Sequence, residues 1–124
     1  MEIIISQEAP SAIGPYSQAI AVNGMIYTSG QIPLSPESGE LVAGGIKEQA
    51  GQAIENLKGV LAAAGSGLAH VAKTTCFLTD MADFAAFNEV YAEHFPGKPA
   101  RSCVAVRALP KGALVEIEAI AVIP

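Results

Sequence analysis

The sequence predicts an α+β domain: one β-sheet with two helices packed on a single face. Three observations lead there. Two segments carry apolar residues at helical spacing, and the remaining apolar runs are short, β-branched and bounded by Gly, Pro or Asn. The order strand, hairpin, helix, strand, helix, strand, strand provides only two amphipathic helices, enough to cover one side of the sheet. Finally, only 15% of the 124 residues are charged and 51% are hydrophobic, against roughly 25% charged for an average soluble domain. The uncovered side is therefore expected to meet another subunit rather than water, within one domain spanning residues 1–124.

Residues 3–5 are expected as a first short strand, followed by the loop QEAPSAIGP. The runs SQAIAV and MIYTSG flank Asn23-Gly24, a dipeptide that supplies the positive φ angles of a tight hairpin turn. Residues 31–45 hold Pro33, Pro36 and three glycines and read as a long connection or loose hairpin. In IKEQAGQAIENLKGVLAAAG, Ile46, Ala50, Ala53, Ile54, Leu57, Leu61 and Ala64 recur at three and four residues. Lys47, Glu48, Gln52, Glu55 and Lys58 take the other side, and Gly65 ends the helix. Gly44-Gly45 before it lacks the companions of a phosphate loop.

VAKTTCFLT, residues 71–79, reads as a strand. Asp80 and Asp83 then resemble a capping box, after which Phe84, Phe87, Tyr91 and Phe95 fall on one helical face as core. PGKP breaks the chain, and ARSCVAV and ALVEIEAIAVI complete it as two strands.

Composition excludes several function classes. The net charge is −5 and the seven cations are scattered, which does not suit nucleic-acid binding. No apolar run approaches the ~20 residues of a membrane span, and the opening Met1-Glu2-Ile3 lacks the features of a signal peptide. Cys76, Cys103, His70 and His94 have no metal-ligand spacing. A cytoplasmic, metal-free, soluble protein is expected.

The candidate site lies in the last two strands. Arg101 is one of only two arginines. If these strands pair as neighbours with their consistently apolar sets together, Arg101, Cys103, Glu116 and Glu118 share one face. Two outcomes are open: a structural ion pair between Arg101 and an acid, or a small-anion site in which the guanidinium fork grips a carboxylate. Cys103 as a nucleophile has no nearby histidine to activate it.

AIGPYSQA, TSGQIP, KTTCFLTD, PARSCVAV and EIEAIAV, in that order along the chain, resemble the successive blocks of the Rid (reactive intermediate deaminase, YjgF-type) family, in its enamine/imine deaminase branch. The resemblance implies a chorismate-mutase-like fold, a homotrimer with clefts between subunits, and hydrolysis of 2-imino acids to 2-oxo acids and ammonia without metal or organic cofactor. It implies that Arg101 binds the substrate carboxylate, Glu116 orients water and Cys103 lines the site. Tyr16, Ser29, Gly30 and Asn88 match residues lining the cleft. The connection FPGKP is shorter than in some relatives, which bears on the cleft rim. A carboxylate-binding regulatory module of the same fold is the alternative.

Overall fold

A computed structural model describes all 124 residues. Six strands form one sheet: β1 (Glu2–Ile4), β2 (Ala19–Val22), β3 (Met25–Thr28), β4 (Val71–Leu78), β5 (Ala100–Ala105) and β6 (Val115–Val122). Two helices, α1 (Ile46–Ala63) and α2 (Phe84–His94), pack on one face, as expected. Asn23 and Gly24 adopt φ of 52° and 75° between β2 and β3, the left-handed pair that a two-residue hairpin turn demands. Gly65, at φ 80°, follows α1 and lets the chain leave the helix. At the other end of α1 the Glu48 carboxylate accepts the Gly45 N–H at 2.8 Å, so the helix fills its own N-terminus. Asp80 accepts the Ala82 N–H at 2.9 Å, but it starts a 3₁₀ turn over Met81–Asp83, and α2 begins only at Phe84.

The strand order is β1-β2-β3-β6-β4-β5. This corrects the expected pairing of the last two strands. The chain passes from β4 through α2 to β5, which pairs parallel on the outside of β4, and β6 then enters antiparallel between β3 and β4. A parallel pair needs such a crossover, whereas an antiparallel pair does not.

Facing the helices, Val115, Ile117, Ala119 and Ala121 alternate along β6 and are buried with Ile26, Cys76 and Leu78. From α1, Ile54, Leu57, Val60 and Leu61 complete the core, and α2 contributes Phe87, Tyr91 and Phe95. Three of the four aromatics expected in the core are thus buried, and Phe84 is half-buried at its edge. The buried Asn56 amide donates to the carbonyls of Ile32 (3.1 Å) and Leu34 (2.9 Å), tying the long connection to α1 while satisfying polar atoms that would be costly to bury unpaired.

The sheet's other face has no covering element. Ile3, Ile20, Tyr27 and Ile120 form one row across four strands, with Val22, Met25 and Val122 in the next. Ile3 is 64% exposed, and Tyr27, Val104 and Val122 are each more than two-fifths exposed. The last strands place Glu118, Thr75 and Ser102 in one row of this face, and Glu116, Phe77 and Val104 in another. No helix is long and apolar enough to cross a membrane.

Candidate functional site

The register separates the expected site residues into two groups on opposite faces. Arg101 lies beside Thr74, which lies beside Ala119, and Cys103, Cys76 and Ile117 form a parallel row. Arg101 and Cys103 therefore point to the helix side, whereas Glu116 and Glu118 point to the open side. The expectation of one shared face fails because β4 intervenes, and because the apolar β5 positions belong to the open face, which is itself apolar.

On the helix side, Arg101 Nη1 donates to Asn88 Oδ1 at 2.7 Å. Its guanidinium sits 4.8 Å from the Tyr91 ring centroid and 5.5 Å from that of Phe84, within the range where a cation gains from an aromatic face. Phe84, Asn88 and Tyr91 lie at helical spacing of four and three residues, so one stripe of α2 provides the whole cradle. The Tyr91 hydroxyl is in turn fixed by Thr74 Oγ1 at 2.7 Å. Phe84, Tyr91 and Thr74 were not foreseen as supports of Arg101; their signal in the sequence was the position of Asn88 within the aromatic stripe.

Arg101 has no carboxylate partner. The chain's one ion pair joins the exposed side chains of Lys47 and Glu89, so the structural pairing of Arg101 with Glu116 or Glu118 does not occur. A concavity of about 300 Å³ opens beside Arg101, walled by Asn88, Tyr91, Phe95 and Pro99. Lys98, from the short FPGKP connection, lies on its rim with φ 54°. Burial pushes the half-buried Cys103 thiol upward, and the Arg101 charge partly offsets this.

On the open side, reciprocal backbone bonds between Gln31 and Ile117 (2.8 and 3.1 Å) draw the segment after β3 against β6. They bring Gly30 directly beneath the Glu116 side chain. A Cβ on Gly30 would stand 2.7 Å from Glu116 Cδ and 2.9 Å from Cγ, closer than atoms pack. Glycine is therefore required for this carboxylate to rest on the backbone. Glu116 has no hydrogen-bond partner on any other side chain. Burial raises its carboxyl above the usual range, and the neighbouring Glu118 charge raises it further.

Ser29 anchors this corner rather than facing outward. Its hydroxyl donates to the Ser17 carbonyl at 2.6 Å and its N–H to the Gln18 carbonyl at 2.9 Å. That holds the turn carrying Tyr16, whose ring lies over Gly14 and is 53% exposed. Tyr16 and Gly30 line a second concavity of about 300 Å³, whose other walls include Ile13, Ile32 and Leu34. The arrangement sets a cation without a carboxylate partner on the helix side and a carboxyl group on the open side of the same sheet.

A helix-backed mixed sheet of this size, with a cation at its edge strand and an acid on its bare face, defines a class of small α+β domains. The chain belongs to the Endoribonuclease L-PSP family, also known as YjgF or Rid, whose model matches residues 6–123. It is 54% identical to a RutC family protein of Pyrococcus abyssi over 121 residues, covering 97% of this chain and 95% of that one. It is 53% identical to the 2-iminobutanoate/2-iminopropanoate deaminase of Mus musculus over 122 residues, covering 98% and 90%. Among solved structures it resembles E. coli TdcF with bound serine, with a TM-score of 0.94 at 47% identity, covering 98% of each chain.

Proposed function

We propose that the protein is a 2-iminobutanoate/2-iminopropanoate deaminase, hydrolysing reactive 2-imino acids and their enamine tautomers to 2-oxo acids and ammonia. The observation that carries this is Arg101: in a chain with twelve acidic residues, its charge is held by an amide and two aromatic rings and matched by no carboxylate. A substrate carboxylate supplies the missing partner. The deaminase named in the mouse relative, and the serine in TdcF, which carries such a carboxylate, support the same assignment.

The working unit is a homotrimer with its sites between subunits. Within one chain Arg101 and Glu116 are on opposite faces, so a single substrate reaches both only where two copies meet. The uncovered apolar rows of the sheet are a surface suited to such burial. In each cleft one copy contributes Arg101, Asn88 and Cys103, and its neighbour contributes Tyr16, Gly30 and Glu116.

Arg101 grips the carboxylate by charge-assisted hydrogen bonds worth roughly 1.5–3 kcal/mol each, while backbone groups near Gly30 and Cys103 hold the imine nitrogen. Glu116 takes a proton from water as its oxygen bonds to C2. The resulting carbinolamine collapses with proton return to nitrogen, breaking the C–N bond and releasing ammonia. A carboxyl raised by burial is a stronger base than a solvated one, which suits this step. No organic cofactor or metal enters the scheme.

In a coupled assay that traps the imine made by threonine dehydratase, Arg101→Ala is expected to lose about 10²–10⁴-fold in kcat/KM, the equivalent of two such hydrogen bonds. Undiminished acceleration by that variant would overturn the proposal. A non-catalytic carboxylate-binding module is the alternative, and Glu116→Ala separates the two: loss of turnover with 2-oxobutanoate still bound identifies an enzyme. Ribonuclease activity, named in the family's description, fits less well with a net charge of −5 and scattered cations.

A further inference from the structure

The chain has two cysteines, 27 positions apart in sequence, and the fold sets them side by side. Cys76 in β4 and Cys103 in β5 are direct partners in the parallel register and point to the same face. Neighbouring strands lie about 4.8 Å apart, inside the Cα separation that a disulfide spans, roughly 4.4–6.8 Å. Both are free thiols, Cys76 fully buried and Cys103 half-buried. Cys76 makes only a weak contact with Thr74 Oγ1 at 3.8 Å, and Cys103 follows Arg101 by two residues on the same face. β5 is an edge strand bonded on one side only.

We propose that Cys76 and Cys103 are a disulfide-forming pair, closed by hydroperoxides and reopened by thiols, that reversibly switches off the Arg101 half-site. The Cys103 thiolate attacks a peroxide oxygen; an S–O bond forms, the O–O bond breaks, and the alcohol or water departs, leaving a sulfenic acid. The Cys76 sulfur then bonds to the Cys103 sulfur and displaces hydroxide, which takes the proton that Cys76 gives up and leaves as water. Two thiols and one hydroperoxide yield one disulfide, one alcohol or water, and one further water.

The two thiols are suited to different parts. Cys103 is the more accessible of the two, and the Arg101 charge offsets part of the upward push that burial gives its thiol. Burial pushes the Cys76 thiol up to about 12, so it stays protonated and shielded from peroxide, and it gives up its proton only as its sulfur bonds to the adjacent Cys103 sulfenic acid. Without Cys76 that sulfenic acid is open to irreversible oxidation to the sulfinic state. Side chains in direct parallel register start wider apart than the ~3.8 Å Cβ separation of a relaxed disulfide. The bond is therefore strained, as readily reduced, regulatory disulfides are. Drawing Cys103 toward β4 displaces the strand that carries Arg101.

The chemistry of the pair is independent of the proposed deaminase activity, and only its effect on turnover rests on that activity, so two readouts are taken. Native protein is treated with hydrogen peroxide, unfolded, alkylated with iodoacetamide and weighed intact, and imine turnover is measured in parallel. The expected result is a monomer lighter by two hydrogens with both cysteines refractory to alkylation, and turnover lowered by about tenfold or more. Dithiothreitol restores both. Cys76→Val is expected to keep its starting activity but to be oxidised irreversibly at Cys103, gaining oxygen mass that dithiothreitol does not remove. Two alkylatable thiols after peroxide, or intermolecular Cys103 dimers alone, overturn the pair. A disulfide formed with unchanged turnover overturns the switch. Untreated protein lacking turnover, with the disulfide still forming, refutes the deaminase assignment and the switch while the pair stands.

Discussion

Gly30→Ala isolates the position of the Glu116 carboxylate from its chemistry. The added methyl meets Glu116 Cδ at 2.7 Å and Cγ at 2.9 Å, and ordinary contact begins near 3.4 Å. Glu116 Oε2 lies nearer still, so the carboxylate must swing away by more than the roughly 0.7 Å that its carbon alone needs. Its neighbour is the end of a flexible side chain rather than backbone, so the retreat needs only a change of rotamer, costing about 0.5–1.5 kcal/mol. Gly30 does not adopt a left-handed φ, so alanine fits its backbone and recovers about 0.4–1 kcal/mol by restricting the unfolded chain. The net change in stability is expected within about 1 kcal/mol of zero.

Catalysis has no such compensation. A shift approaching 1 Å in a catalytic group costs on the order of 10²-fold, so kcat/KM should fall tens- to a hundredfold in the imine-trapping assay while the urea midpoint scarcely moves. Gly30→Ala combined with Glu116→Gln should be no worse than Glu116→Gln alone, since both remove one function. Wild-type turnover by Gly30→Ala would refute the claim that Glu116 acts from its seat on Gly30. Equal losses from Gly30→Ala in the two Glu116 backgrounds would refute it independently.

Three further outcomes follow from the same geometry. Because burial and Glu118 raise the Glu116 carboxyl in the fold, its contribution to stability is fully present below the unfolded value of about 4.3 and is lost as pH rises through the raised one. Glu116→Gln should thus stabilise the protein at pH 8 and give a shrinking gain toward pH 4, measured by thermal unfolding across that range. Thr74→Val orphans the buried Tyr91 hydroxyl and should cost about 1–3 kcal/mol, whereas Thr74→Val with Tyr91→Phe removes both partners and should regain most of it in urea titrations. Lys98 holds a left-handed φ of 54°, so Lys98→Gly should raise stability by about 0.5–1 kcal/mol in the same titrations.

Local elements were legible in the sequence because their causes are local. Asn23-Gly24 dictates its turn, the spacing of Ile54, Leu57 and Leu61 dictates a buried helical stripe, and Gly65 dictates where that helix stops. The two-layer arrangement was legible as well, since two amphipathic helices can cover only one face and the charge count leaves little to wet the other. Ser29 was legible only as a cleft residue by resemblance. Its tie to the Ser17 carbonyl joins residues twelve apart at the open end of the β2–β3 hairpin, and no periodicity signals such a side-chain bond.

The facing of Arg101 was not legible, and the reason is instructive about where alternation fails. Alternation fixes which residues of a strand share a side, but it links two strands only once their adjacency is known. Matching the apolar set Val104 and Val106 to Ile117 and Ala119 assumes that the apolar side is the covered side. Here the uncovered side is apolar too, so the choice between registers had no hydrophobic penalty to decide it. What decides it is α2, which carries the chain across to a parallel edge position and offers Asn88, Tyr91 and Phe84 as a cradle for a guanidinium. The consequence reaches function. On one shared face Arg101 could have paired with Glu116, whereas on opposite faces they cannot meet within one chain, and the proposed function therefore needs a second copy to bring Glu116 to Arg101.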